Sequence, residues 1–264
     1  MRPLAATVLV SVTMIGSIAE AQDNMLRHLD LTTPDMTHAE MSRADIDALI
    51  SEAGVRPLDL SGKRPSGLNL SGANLSGANL RLSRLNRTDL SSADLSGATL
   101  DQAWLLKANM RGAKLVGASF FGAQVREADL SGADLTRAKL IGDFGGAKLR
   151  GATLVGLRAG ADMKNQSMGL MRTVFTSVDL EGADLTGADL SRSKLNFANL
   201  KGANLTDANL MGSDASGSDM TGATIAGANF KNVDVTGAKL RQLNGQDAAR
   251  EWGALVNADR AIRE

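Results

Sequence analysis

The sequence predicts a solenoid built from a five-residue unit, and three observations carry that prediction. Between Leu68 and Leu140 a leucine or a stand-in falls at every fifth position: Leu70, Leu75, Leu80, Leu85, Leu90, Leu95, Leu100, Leu105, Met110, Leu115 and Phe120. A small residue sits two places earlier, as at Ala73, Ala78, Ala93, Ala98, Ala103, Ala108 and Ala113. That period fits neither the 3.6 of an amphipathic helix nor the 2.0 of a half-buried strand, so it is an internal repeat, and a repeat sets the architecture. The composition agrees. Aromatic residues make up only 3% of the chain, tyrosine is absent and glycine reaches 28 residues. A globular core would be short of large side chains, whereas a narrow core of stacked Leu and Ala needs none. Residues pointing inward every five mean that the chain turns a corner every five.

The tandem motif, ANLSG at 73–77 and ADLSG at 93–97 in its plainest form, resembles the A(N/D)LxG unit of the pentapeptide-repeat family. The resemblance implies an all-β fold: a right-handed quadrilateral parallel β-helix with four nearly flat faces. In that fold the central residue and the small residue two before it point inward, and the other three point out. The outward positions here are Asn/Asp, Ser/Thr and Gly, which suit a polar surface and tight corners. Four units per coil and a spacing of ~4.8 Å would make a rod of roughly 40 Å.

Taken in order, residues 1–21 read as a secretory signal peptide. Arg2 gives a positive start, Leu4–Ile18 is mostly apolar and Ala19-Glu20-Ala21 offers the small residues of a cleavage site. Cleavage after Ala21 would place the mature chain in the periplasm or medium. Thr7, Ser11, Thr13, Gly16 and Ser17 interrupt the run, which falls short of the ~20 apolar residues of a membrane span. Residues 22–57 form an N-terminal capping segment with one helix. Thr37-His38-Ala39-Glu40 has capping-box spacing, Met41, Ala44, Leu49 and Ile50 follow at helical intervals, and Gly54 stops the run. Such a lid would cover the open edge of the first coil.

The repeat occupies residues 58–242, with interruptions expected at 143–146, 157–160 and 171–172. Counting units in fours from Leu60, the first and third interruptions fall between faces one and two, and the second between faces three and four. Asp143, Phe144, Met171 and Arg172 then mark a corner where loops stack. Residues 243–264 read as a C-terminal capping helix, with Ala249, Trp252, Leu255, Val256 and Ile262 near one face and Trp252 packed on the last coil. That helix is also a surface for homodimer formation.

Catalysis finds few parts. The histidines are His28 and His38, both outside the repeat, and there is no Cys or Tyr to pair with them. Those histidines with Asp30 and Asp35 match no metal-ligand spacing. Asp94, Asp129, Asp134, Asp184 and Asp189 occupy the position where the repeat takes Asp or Asn for structural reasons. No cofactor, metal or catalytic residue is expected, and the chain reads as a non-enzyme. Absent cysteine also excludes disulfides and a lipidated N-terminal cysteine.

Charge balances at 29 basic and 29 acidic residues, so no global field attracts or repels a polyanion. The count in fours nonetheless gathers Arg64, Arg84, Arg87, Lys107, Arg126, Lys148, Arg150 and Lys194 on face two, against Glu127, Asp214 and Asp234. Trp104, Val174 and Phe197 share that face, while most aspartates fall on faces three and four. Arg84, Trp104, Lys107, Arg126, Lys148 and Arg150 are thus the expected seat of an acidic protein surface or a polyanion. Phe121, Ile141 and Met211 on face one would make a smaller apolar patch. The function expected is a non-catalytic protein-binding or scaffold solenoid exported to the bacterial envelope. The resemblance implies one rival, a DNA-mimicking modulator of DNA gyrase in the cytoplasm. A neutral chain with an export signal fits that rival poorly.

Overall fold

The computed structural model describes residues 31–54, 56–161 and 172–263. The signal-peptide reading and Met171 lie outside them. No helix among the described residues is long and apolar enough to cross a membrane.

The chain folds as the sequence predicts, into a right-handed four-faced parallel β-helix. Each unit contributes one rung, the Asn/Asp-type residue before the central Leu, and rungs pair in parallel with those of the next coil. Asp59, Asn79, Thr99, Ser119, Lys139, Arg158, Asp189, Asn209, Asn229 and Arg250 run up face one. Face two carries Arg84, Trp104, Gln124, Asp143, Val174, Lys194, Asp214, Asp234 and Val256; faces three and four start at Asn69 and Asn74. At the parallel-strand spacing this is a rod of roughly 45 Å. Central and small residues are buried throughout the solenoid, so Leu70 to Leu240 form one continuous core.

The rung residue is Asx for a local reason. Its Oδ1 accepts the N–H of the residue two ahead, at 2.9 Å in Ser71 to Asn69 and 3.0 Å in Ser96 to Asp94, and so fixes the corner. The same bond pulls carboxylates down. The N–H and hydroxyl of Ser96 hold Asp94 below the ordinary aspartate range.

The middle of the rod corrects the expected interruptions. Residues 143–146 do not leave the coil. Asp143 pairs with Gln124 and Val174 as a face-two rung, and Phe144 is wholly buried. The irregularity is one residue missing from the preceding corner, which Ile141 alone spans. Gly142 takes the small-residue position there, where a Cβ would lie 2.5 Å from the carbonyl of Ala123. Residues 157–160 are likewise a face-one unit. Arg158 pairs with Lys139 and Asp189, while Leu157 and Ala159 are buried in swapped order. The face-one rung Arg158 and the face-two rung Val174 are 16 positions apart instead of five, and most of that stretch, 162–171, with the further repeat units expected in it, lies outside the described residues. Thr173 closes the stretch, its hydroxyl against the carbonyls of Leu140 and Ala159. No described backbone N–H reaches either carbonyl.

The two ends differ from expectation in detail. At the N-terminus α1 spans Pro34–Thr37 and α2 spans Arg43–Ala53. The capping box is Ser42 with Asp45, not Thr37 with Glu40. At the C-terminus the helical cap comes in pieces. Three single 3₁₀ turns, Gln246–Ala248, Trp252–Ala254 and Ala258–Arg260, are set into a last coil whose rungs are Asn244, Arg250, Val256 and Ile262. Those rungs are six residues apart, so each corner is one residue longer than in the rest of the rod. Trp252 packs edge-to-face on Phe230 at 4.9 Å, as the sequence suggested.

Candidate interaction surface

A rod of stacked rungs positions side chains by register alone, so any site on it is a statement about which residues share a face. Arg84 and Trp104 are face-two rungs, and Lys107 and Arg126 lie at the corner leading from face two to face three. Lys148 and Arg150 do not join them. With 143–146 kept in the coil, Lys148 becomes a face-three rung between Asp129 and Asp179, and Arg150 follows it. The basic stripe expected on face two is therefore split between two faces.

Most of what remains on each face is neutralised from within. Asp35 lies 2.5 Å from Arg64 and 3.8 Å from Arg84, and Glu40 holds Arg64 at 3.1 Å. Lys107 pairs with Glu127 at 3.3 Å and Arg126 with Asp143 at 3.1 Å. On face three, Arg111 meets Asp129, Arg150 meets Glu181 at 2.7 Å, and Lys201 and Lys239 share Asp219. Burial pushes the Asp219 carboxyl up, but the Thr221 hydroxyl and N–H together with Lys239 outweigh it and lower the pKa to about 2. Face three is a ladder of alternating sign.

Of the loop-corner residues, Asp143 and Phe144 belong to the coil. Arg172 lies at the far end of the stretch between Arg158 and Val174, next to Thr173. Phe144 stacks between Phe120 at 5.8 Å and Phe175 at 5.6 Å, filling the core where Ala159 supplies only a methyl group. The apolar trio on face one also changes character. Ile141 is buried, and Phe121 carries the Lys139 ammonium 4.8 Å from its ring centroid.

Phe197 points outward beside face two, as the sequence placed it, while the edge of the last coil is a feature the sequence missed. Phe197 sits at a corner with φ +59° and is 64% exposed, an aromatic held in the left-handed region. The last coil presents an unpaired edge. The carbonyls of Leu243, Ala249, Leu255 and Ala261 and the N–H groups of Gly245, Glu251 and Asn257 occupy the positions that pair with a following coil elsewhere. None has a partner among the described residues. No group of His, Cys, Asp and Glu side chains suited to a metal ion occurs among the described residues.

Solved structures similar to the chain include HetL, a pentapeptide repeat protein involved in heterocyst differentiation regulation from the cyanobacterium Nostoc sp. strain PCC 7120. It is 28% identical, with a TM-score of 0.48, over 84% of this chain and 95% of that one. Full-length QnrB1, a plasmid-mediated fluoroquinolone resistance protein, is 21% identical, with a TM-score of 0.49, over 72% and 92%. A pentapeptide repeat protein from the Arabidopsis thaliana thylakoid lumen is 28% identical, with a TM-score of 0.26, over 56% and 68%. A search of curated protein sequences returned no match. The family model for pentapeptide repeats matches eight copies, over residues 66–102, 93–132, 114–156, 170–207 and 203–242. That is more than half of the sequence, and the chain belongs to the pentapeptide-repeat family.

Proposed function

We propose that this protein is a non-catalytic binding scaffold exported to the bacterial envelope, where the rod engages another protein through its fixed rows of side chains and its open last coil. The observation that carries the reading is the rod itself: one uninterrupted core holding four faces of rungs in strict register. Such a surface is pre-organised, so binding costs little conformational entropy. Export rests on the pattern of residues 1–21, a short basic start, an apolar run and Ala19-Glu20-Ala21.

The open edge of the last coil supports a homodimer. Val256 and Ile262 are each 40% exposed on it, and an unpaired parallel edge with apolar flanks is a template for pairing with a second copy. Light scattering on the purified protein checks this. A dimer that becomes a monomer on replacing Val256 and Ile262 with Lys is the expected result.

The envelope reading is tested by mass spectrometry of the native N-terminus from separated periplasmic and cytoplasmic fractions. A periplasmic chain beginning at Gln22 is expected. A cytoplasmic chain beginning at Met1 would overturn export and make modulation of a type II topoisomerase the working function, with gyrase supercoiling as the next assay.

A further inference from the structure

Parallel ladders place like positions one above another, so the sign of each rung matters to its neighbours. Elsewhere the lysine rungs have carboxylates beside them: Lys114 lies between Asp94 and Asp134, Lys148 between Asp129 and Asp179, and Lys239 beside Asp219. Like charges directly opposite one another in a sheet are destabilising. Two pairs of cations nevertheless occupy adjacent coils on one face.

The first pair is Arg64 and Arg84 on face two, and the molecule shows how it is resolved. Asp35, from the segment that precedes the solenoid, reaches across the face and contacts both guanidinium groups, at 2.5 and 3.8 Å. The chain around it is itself docked, with the Met36 carbonyl accepting the Asn86 side-chain amide at 3.1 Å. An acidic residue on a strap from outside the coil thus neutralises a stacked pair.

The second pair is Lys139 and Arg158 on face one, and no strap crosses it among the described residues. The two are bridge partners, and Arg137 stands two residues before Lys139 at the corner entering the face. No ion pair joins any of the three to a carboxylate among the described residues. Asp189, the rung above Arg158, has its Oδ1 occupied by the Ser191 N–H at 3.0 Å and the Asn209 amide at 3.2 Å. Asp101, lower on the same side, is taken up by the Ser119 hydroxyl and the Phe121 N–H. Phe121 supplies an apolar floor under the Lys139 ammonium. Arg137 and Arg158 are exposed.

We infer that the Arg137–Lys139–Arg158 cluster is a docking site for an acidic segment of a partner protein, whose carboxylates would sit over the stacked cations as Asp35 sits over Arg64 and Arg84. The inference rests on the scaffold reading above and names the partner's chemistry. The occupant is an acidic peptide because a carboxylate from outside the coil, Asp35, is what neutralises the other stacked pair, and because three cations on two adjacent coils match two or three side-chain carboxylates. A long uniform polyanion would need a continuous basic track, and the alternating signs of face three and the paired bases of face two provide none.

The test is fluorescence anisotropy of a fluorescein-labelled octaglutamate peptide titrated with the full chain at low salt. Saturable binding is expected, weakened roughly tenfold or more in the double variant Lys139→Gln/Arg158→Gln. The control, Arg81→Gln/Arg241→Gln, removes the same charge from exposed positions off the cluster and is expected to bind as the parent does. Relieving the stacked repulsion should leave the first variant melting no lower than the parent, so weakened binding is not unfolding. Equal losses in both variants, or no saturable binding by the parent, overturns the site. Duplex DNA that binds the cluster more tightly than the peptide also overturns it, in favour of a nucleic-acid surface. Either failure leaves the scaffold reading standing on its own fractionation and light-scattering tests.

Discussion

The two ends of the rod meet the same physical problem and answer it differently. A parallel solenoid leaves a row of unpaired backbone groups and an apolar cross-section at each end. At the N-terminus the apolar section is covered and the backbone edge is occupied in part, at Arg64 and Asn69; the Asp59 and Asn74 carbonyls and the Asp59, Asn69 and Asn74 N–H groups have no partner among the described residues. Ile46 of α2 is fully buried against the first coil, with Met41, Leu49 and Ile50 packed beside it. Where the backbone edge is occupied, the preceding segment imitates a neighbouring strand. Glu40 N–H donates to the Arg64 carbonyl at 3.0 Å, its carboxylate accepts the Arg64 N–H at 3.0 Å, and Arg43 donates to the Asn69 carbonyl at 3.1 Å. At the C-terminus the last coil covers the apolar section only in part and leaves its outer edge unpaired. The difference between the ends is thus one of degree: part of the first coil's edge is satisfied from within the chain, and none of the last coil's is among the described residues.

The largest test of that contrast uses the core that joins the ends. Asp in place of Leu130 or Leu185, both fully buried, puts an unpaired charge into a one-residue-wide core. The expected cost of about 5 kcal/mol should prevent folding of the whole rod. Circular dichroism should show the loss, and wild-type melting would mean that the coils either side are independent of one another.

The ends themselves separate under the same substitution. Ile46→Asp should cost about 4 kcal/mol and detach the N-terminal lid, because Ile46 has no exposure to spare. Ile262→Asp, at a residue 40% exposed, should change the stability of the monomer by no more than about 0.5 kcal/mol. Thermal melts of the two variants at matched low concentration decide it. Comparable losses would mean that the last coil is as closed as the first.

Much of this was legible in the sequence, and the failures have physical causes. The period named the inward residues because a narrow core accepts little besides Leu, Phe, Met and Ala. It misplaced 157–160 because the core requires one large and one small residue per unit, not their order: Leu157 and Ala159 satisfy it reversed. It misplaced 143–146 because a corner tolerates one residue instead of two when Gly142 lets the backbones approach. From that shift the assignment of Lys148 and Arg150 to face two followed. In the last coil Leu243, Ala249, Leu255 and Ala261 repeat every six residues, but Trp252, Val256 and Ile262 between them imitate helical spacing. The ion pairs were out of reach altogether. Asp35 finds Arg64 and Arg84 through the docking of a strap that no periodicity describes.

The N-terminal lock should also respond to acid. Glu40 is held below its ordinary value first by the Arg64 N–H, against burial, and then by the Arg64 side chain. A carboxylate whose folded pKa is depressed contributes stability that is present above the unfolded value of 4.5 and drains away as pH falls below it. Glu40→Gln should therefore destabilise by about 1 kcal/mol at neutral pH, a modest figure because the pair is partly exposed. The deficit should shrink as pH falls below 4.5 and vanish once pH passes below the depressed folded value, where the parent loses the charge as well. Denaturant melts across that range measure the difference. A deficit that stayed constant with pH would show that the glutamate acts only as a neutral acceptor.

The smallest test compares one left-handed residue at each end. Gly62 in the first coil has φ +67°, with open space where a Cβ would stand. Glu251 in the last coil has φ +56° and carries the side chain that this conformation disfavours. Gly62→Ala should lower stability by about 1 kcal/mol through backbone strain alone, since the added methyl touches nothing. Glu251→Gly should relieve the same strain, and the gain is smaller than the strain because glycine also frees the unfolded chain. If the last coil is as firmly held as the first, the two variants should move the melting temperature in opposite directions by a few degrees at most, roughly 2–4 °C per kcal/mol. If Glu251→Gly instead leaves the melt unchanged while Gly62→Ala lowers it, the last coil frays before the rod unfolds. Pairing with a second copy would then be what holds the C-terminal end in place, and the effect of Glu251→Gly should appear only at concentrations where the dimer forms.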